Sequence, residues 1–91
     1  MSSNGQRVDL PQGVLVDLFA ATTFTPPMQL AIHNRSVDAI LANDPAAPPL
    51  NSDDFTVIEP YQDSATASAA NEFWAVSQYR DGVAIVYDPN A

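Results

Sequence analysis

The chain has 91 residues, with 11 acidic residues against three arginines (Arg7, Arg35 and Arg80), no lysine, no cysteine and a formal charge of -8. This length allows one modest domain, and the missing cysteines exclude a disulfide framework, a CxxC redox pair and thiolate zinc sites. Three scattered cations cannot neutralise a run of phosphates or hold an anionic lipid surface, so neither nucleic acid nor membrane is an expected partner.

No run approaches the roughly 18 apolar residues of a membrane span, and the polar start, Met1 to Arg7, offers no signal-peptide h-region. Eight prolines and the acidic excess lean toward disorder, yet 46% of residues are hydrophobic and only 15% charged, a globular balance.

In chain order, residues 1–11 read as an extended N-terminal arm, followed by a single β-domain over 12–91. Val8, Leu10 and Pro11 are the arm residues suited to lie across a neighbouring subunit or to add an edge strand to it. The apolar run Val14 to Phe19 follows Pro11 and Gly13, and periodicity does not decide between a buried strand and one helical turn. Segment 28–42 reads as a hairpin in which Met28, Leu30 and Ile32 alternate with Gln29, Ala31 and His33. Asn34-Arg35-Ser36 would turn the chain, and Val37 to Leu41 would return it. The alternative is a helix near 27–42, capped by Thr25 with Pro26 at its first position, which would make the fold α+β. That helix would centre its apolar stripe on Asn34 or Arg35, a compromise strands avoid.

Asp44 to Pro49 reads as a stiff extended linker, because its prolines forbid helix and central strand alike. Phe55 to Glu59 reads as a short strand stopped by Pro60, and the small residues of 62–71 as a long surface loop. The C-terminus carries the plainest signal. Phe73 to Arg80 and Val83 to Asp88 are rich in aromatic and β-branched residues and are joined by Asp81-Gly82, the pair favoured in a two-residue type I′ turn. That turn would set Val76 opposite Tyr87 and gather Trp74, Val76, Val83, Ile85 and Tyr87 on one buried face. The expected fold is all-β: a small antiparallel β-sandwich or barrel-like domain with an extended N-terminal arm.

Candidate chemistry is sparse. His33 is the sole histidine, and no motif sets a nucleophile and an orienting acid beside it, so it reads as an ordinary strand residue. Asp53-Asp54, with Asn51, Ser52 and Asp44, is the densest group of hard oxygen donors. It lacks calcium-loop spacing and a closing glutamate, so a turn is the better reading. Asn34-Arg35-Ser36 matches the glycosylation sequon but also reads as a turn. Gly5, Gly13 and Gly82 cannot build a phosphate loop, and Phe73, Trp74, Tyr79 and Tyr87 read as core and interface rather than a stacking platform. No catalytic residue, metal site, cofactor or small-molecule substrate is expected.

Three segments in this order, Val14-Leu15-Val16-Asp17-Leu18-Phe19-Ala20-Ala21-Thr22, Leu30-Ala31-Ile32-His33-Asn34-Arg35-Ser36 and Trp74-Ala75-Val76-Ser77, carry a resemblance. They resemble the D-L-Y/F-x-A-T opening, the L-x-I-x-N-x-S strand and turn and the W-A-x-S strand of small β-rich virion proteins of tailed bacteriophages. These are head-associated proteins that decorate or cement the capsid, and the resemblance spans roughly residues 10 to 87. Glycines commonly follow the A-T pair in such chains, whereas Thr23 and Pro26-Pro27 stand here, so the first connection is expected to differ. The resemblance implies a structural protein of the phage head, made in the host cytoplasm. It also implies attachment to the major capsid protein or neighbouring virion subunits, and a homotrimer or other homo-oligomer. From a different class comes the alternative of an acidic inhibitor whose carboxylates imitate a phosphate backbone in the basic groove of a nuclease or DNA-binding protein.

Overall fold

The computed structural model describes residues 5–43, 55–66 and 72–90, and in them the fold is an all-β sandwich with no helix. Eight strands form two antiparallel four-stranded sheets. They are β1 (Gln6–Leu10), β2 (Val16–Asp17), β3 (Ala31–Asn34), β4 (Ile40–Asn43), β5 (Thr56–Ile58), β6 (Asp63–Ala65), β7 (Trp74–Val76) and β8 (Gly82–Tyr87). One sheet has the order β1-β8-β3-β6 and the other β2-β7-β4-β5. Folding the chain into the nested pairs 1 with 8, 2 with 7, 3 with 6 and 4 with 5 gives this order, which is that of the eight-stranded jelly roll. Every described connection passes from one sheet to the other, so hydrogen-bonded neighbours are mostly distant in sequence.

That topology corrects several expectations. Residues 6–10 are a strand of the domain rather than an arm: β1 pairs with β8 from Gln6↔Val86 to Leu10↔Gly82. Val8 and Leu10 are buried in the core, and only Pro11 of the three suggested contact residues stays exposed. Segment 28–42 forms strands, not the alternative helix, but β3 and β4 lie in different sheets and make no hairpin. The residues between them arch across the sandwich. The stretch 62–71 is not loop throughout, because Asp63–Ala65 is the edge strand paired with β3. Val14 to Phe19 combines both of its expected forms: two residues of strand, then a single turn in which the Ala21 amide donates to the Asp17 carbonyl at 3.0 Å. The Asp17 carboxylate accepts from the Phe19 and Ala20 amides and so caps that turn. Phe55 to Glu59 does contain the expected strand. The proline linker 44–49 and the acidic group 51–54 lie outside the described residues.

The C-terminal hairpin is also absent, since β7 and β8 belong to opposite sheets. Gly82 has no positive φ; close approach explains it instead. A Cβ there would lie 2.6 Å from Ser36 Oγ and 3.0 Å from Ser77 Oγ. The expected buried face holds only at Val76. Phe73, just before β7, Ala75 of β7 and Ala84 and Val86 of β8 belong to the core, while Trp74, Val83, Ile85 and Tyr87 are only half-buried. The reason is volume. Leu10, Leu18, Leu30, Ile32, Ile40 and Ile58 fill most of the space between the sheets, and the small side chains of Ala75 on β7 and Ala84 on β8 fit against them.

Candidate interaction surface

The antiparallel registers bring four connections to the same end of the sandwich: those from β1 to β2, β3 to β4, β5 to β6 and β7 to β8. They are bonded to one another. The Gly13 amide donates to the Ser77 carbonyl at 2.8 Å, and the Gln12 amide to the Asp81 carboxylate at 2.9 Å. The Arg35 amide donates to the Val83 carbonyl at 2.9 Å and the Tyr61 amide to the Asn34 carbonyl at 2.7 Å. Beneath them lies a buried polar knot. Asn34 Nδ2 donates to the carbonyls of Asp38 and Ile58, and Asn34 Oδ1 accepts from the Ser36 amide. Ser36 Oγ accepts from the Val83 amide and donates to its carbonyl, while Ser77 Oγ donates to the Arg80 carbonyl. An Asp38–Arg80 ion pair at 2.6 Å ties two of the connections on the outside. The sequon asparagine is therefore fully buried with its amide nitrogen engaged, and it cannot carry a sugar.

On this braced end stand large apolar side chains exposed to solvent: Tyr79 at 76%, Val37 and Tyr61 at 63% and Val14 at 49%. Tyr61 is also the one described non-glycine residue with positive φ, at 63°. It sits third in the turn Glu59-Pro60-Tyr61-Gln62, closed by the Gln62 amide to the Glu59 carbonyl at 3.1 Å. Proline second and positive φ third are the demands of a type II turn, which normally takes glycine or asparagine in that third place. Tyr61→Gly is expected to stabilise the domain by about 1 kcal/mol, since it removes the left-handed strain and no buried contact. A urea titration monitored by the fluorescence of Trp74 measures the change, and a destabilised variant would show that the tyrosine side chain holds the turn.

A second polar group lies on the outer face of the β1-β8-β3-β6 sheet. The register places His33 of β3 opposite Asp63 of β6, with their side chains 2.6 Å apart at Nδ1 and Oδ1. Tyr87 stands opposite Ala31, whose small side chain lets the phenol reach across to donate to the other Asp63 oxygen. The bond from Tyr87 is the main cause holding the Asp63 carboxyl below its ordinary value, helped by His33 and the nearby charge of Arg35 against the cost of burial. The same bond, with burial, pushes the Tyr87 phenol up to about 12. A phenol held protonated is a poorer nucleophile and base than a free one, and Ser64, next to Asp63, lies on the opposite face of β6. The trio is a brace that pins an edge strand, and His33 is a strand residue with a carboxylate partner.

Its pH dependence follows in sign. A lowered carboxyl stabilises the fold above about pH 4 and loses that contribution as pH falls through the depressed value. A raised phenol stabilises below about pH 10 and loses its contribution as pH rises through about 12. Tyr87→Phe is expected to flatten both limbs of the stability curve and to cost under about 1 kcal/mol at pH 7, because solvent screens this half-exposed group. Chemical denaturation across the pH range tests this, and unchanged limbs in the variant would refute it.

Sequence reasoning missed this trio because His33 and Asp63 are 30 residues apart and nothing local links them. It also missed Val14, Val37 and Tyr61 as surface features, and Pro60 was read only as the stop of a strand and not as part of the turn that displays Tyr61. Of the aromatic residues, Phe73 is core, Trp74 is half-buried with its indole donating to Glu72, Tyr79 is exposed at the loop end and Tyr87 belongs to the brace. They form no common platform. Among the described residues no group of three histidine, aspartate or glutamate side chains could hold a metal ion. Compared with known proteins, the chain matches no protein-family model, no curated protein and no solved structure.

Proposed function

We propose that the protein is a non-catalytic structural module of a tailed-phage head, decorating or cementing the capsid through protein–protein contacts. The observation that carries this reading is the braced loop end, where Val14, Val37, Tyr61 and Tyr79 are exposed on connections that are fixed to one another. Exposed aromatic and aliphatic anchors on a preorganised surface suit binding to a protein partner. The eight-stranded jelly roll also hosts viral shell domains, a support by analogy alone because the same fold serves lectins and cupins. The reading places the protein in the virion, with the major capsid protein or neighbouring virion subunits as partners and no cofactor.

The acidic-inhibitor reading draws less support. Asp38, Asp63 and Asp9 are engaged with Arg80, His33 and Arg7, so they are not a free row of charges for a basic groove. Co-sedimentation with purified phage capsids separates the two readings. The protein is expected in the particle pellet, and recovery of the wild type wholly in the supernatant would end the capsid reading. Binding instead to a nuclease, with loss of its activity, would install the alternative.

A further inference from the structure

We propose that the loop end takes an arginine side chain of a protein partner, in a cleft between the end of β1 and the start of β8. The inference rests on the reading of this end as a partner-binding surface, but not on the partner being a capsid. The cleft has a volume of about 350 Å³, at the small end of the range for ligand pockets and suited to one long side chain. Pro11 and Val83 give it an apolar wall with the buried Leu10 behind them, and Arg7, Asp9 and Asp81 supply its charges. Register explains the arrangement. Asp9 lies opposite Val83, and Arg7, Asp9 and Val83 share the outer face of the sheet because Val8 and Leu10 are turned into the core.

The polar groups select the occupant. Arg7 Nε donates to Asp9 at 3.2 Å, so these two charges answer each other within the cleft. Asp81 is left as the deciding charge. One of its oxygens accepts from the Gln12 amide at 2.9 Å, which fixes the carboxylate in place, and among the described residues nothing engages the other oxygen. A single fixed carboxylate beside an apolar wall suits a cation carried on an apolar stem. An anion would meet the unopposed charge of Asp81, and an uncharged apolar ligand would strip water from it with no replacement. Arginine fits better than lysine because its guanidinium is more weakly hydrated and can stack on Tyr79, exposed two residues before Asp81. The field of a chain at -8 draws such a cation in. A protein is the source, not a free guanidinium compound. Pro11 and Asp81 stand in the connections that also carry Val14 and Tyr79, exposed side chains that a protein surface would cover.

Titration of the full chain with N-acetyl-arginine amide, followed by amide NMR shifts, tests the inference. Saturable shifts are expected at Leu10, Gly82 and Val83 with a dissociation constant of about a millimolar, and none with the uncharged N-acetyl-norleucine amide. Asp81→Asn keeps an acceptor for the Gln12 amide and is expected to weaken binding about fivefold or more. Asp88→Asn is the control, because it removes the same charge beyond the far end of β8. A capped Leu-Arg-Leu peptide is expected to bind at least about threefold more tightly than the amide, since its flanking side chains reach the exposed valine and tyrosine. Shifts that never saturate, or that Asp81→Asn and Asp88→Asn reduce alike, overturn the cleft. Equal affinity of peptide and amide overturns the protein partner. Binding at the cleft by a protein that stays in the supernatant with capsids would uphold this contact while ending the capsid reading. A protein that pellets with capsids but shows no shift at the cleft would do the reverse.

Discussion

Removing residues 1–11 is expected to abolish folding, not merely to loosen attachment to a partner. The deletion takes away β1, and with it the ladder to β8 from Gln6↔Val86 to Leu10↔Gly82. It also removes Val8 and Leu10 from the core, each worth about 1.5–3 kcal/mol of burial. A domain of this size has only about 5–15 kcal/mol in total, and β8 would become an edge with its inward face uncovered. The single substitution Leu10→Ala isolates the side-chain part and is expected to cost about 2–5 kcal/mol, because Leu10 is wholly buried among side chains that can collapse only partly. Circular dichroism of the truncated chain and urea titration of Leu10→Ala are the measurements. A truncated protein that keeps a cooperative transition would restore the reading of these residues as a detachable arm.

Asn34→Ala is expected to be comparably severe, at about 3 kcal/mol or more, though it removes few atoms. The side chain satisfies three main-chain groups at once: the carbonyls of Asp38 and Ile58 and the amide of Ser36. With the amide gone, those groups lose their partner in or next to the buried layer, and each costs about 1–3 kcal/mol. Asn34→Asp separates donor from acceptor roles. It keeps an acceptor for Ser36 but faces two carbonyls with a carboxylate, so it should be worse than alanine at neutral pH. It should recover in part as acid protonates the carboxyl and restores one donor. Thermal melts of both variants at pH 7 and at acid pH test the pair, and equal melting behaviour at the two pH values would contradict the role given to Nδ2.

Both substitutions act where the sequence is least informative. Asn34-Arg35-Ser36 has the composition of a tight turn and a sequon, and a hairpin was the economical reading of it. The structure uses the same residues as an arch between sheets, and Asn34 is buried because an arch carries main-chain groups into the interior that no ladder satisfies. Asp81-Gly82 misleads in the same way. The glycine is required, but by Ser36 and Ser77 rather than by a left-handed turn, and a local pattern cannot tell one requirement from the other. The candidate surface was partly legible: Pro60 marked the end of a strand and Tyr79 lay beside an expected turn. That Val14, Val37, Tyr61 and Tyr79 share one end depends on which strands pair.

What the sequence determined by itself was strand content and the limits of chemistry. Alternating apolar residues, β-branched runs and breaker residues are local, so they identified an all-β chain and the strand after Phe55, and they favoured strand over helix between 28 and 42. Composition acted the same way: without cysteine or lysine, whole classes of site were excluded before any fold was considered. Only the tertiary structure decided pairing, facing and surface. In a jelly roll the partners of a strand lie mostly far along the chain, so no turn fixes the register, and Trp74 and Val83 end in different sheets. Which face is buried then follows from the volume left between the sheets, a property of all eight strands together. The acidic excess belongs to both levels: its size is read from composition, but the pairing of Asp38 with Arg80 and of Asp63 with His33 exists only in the folded chain.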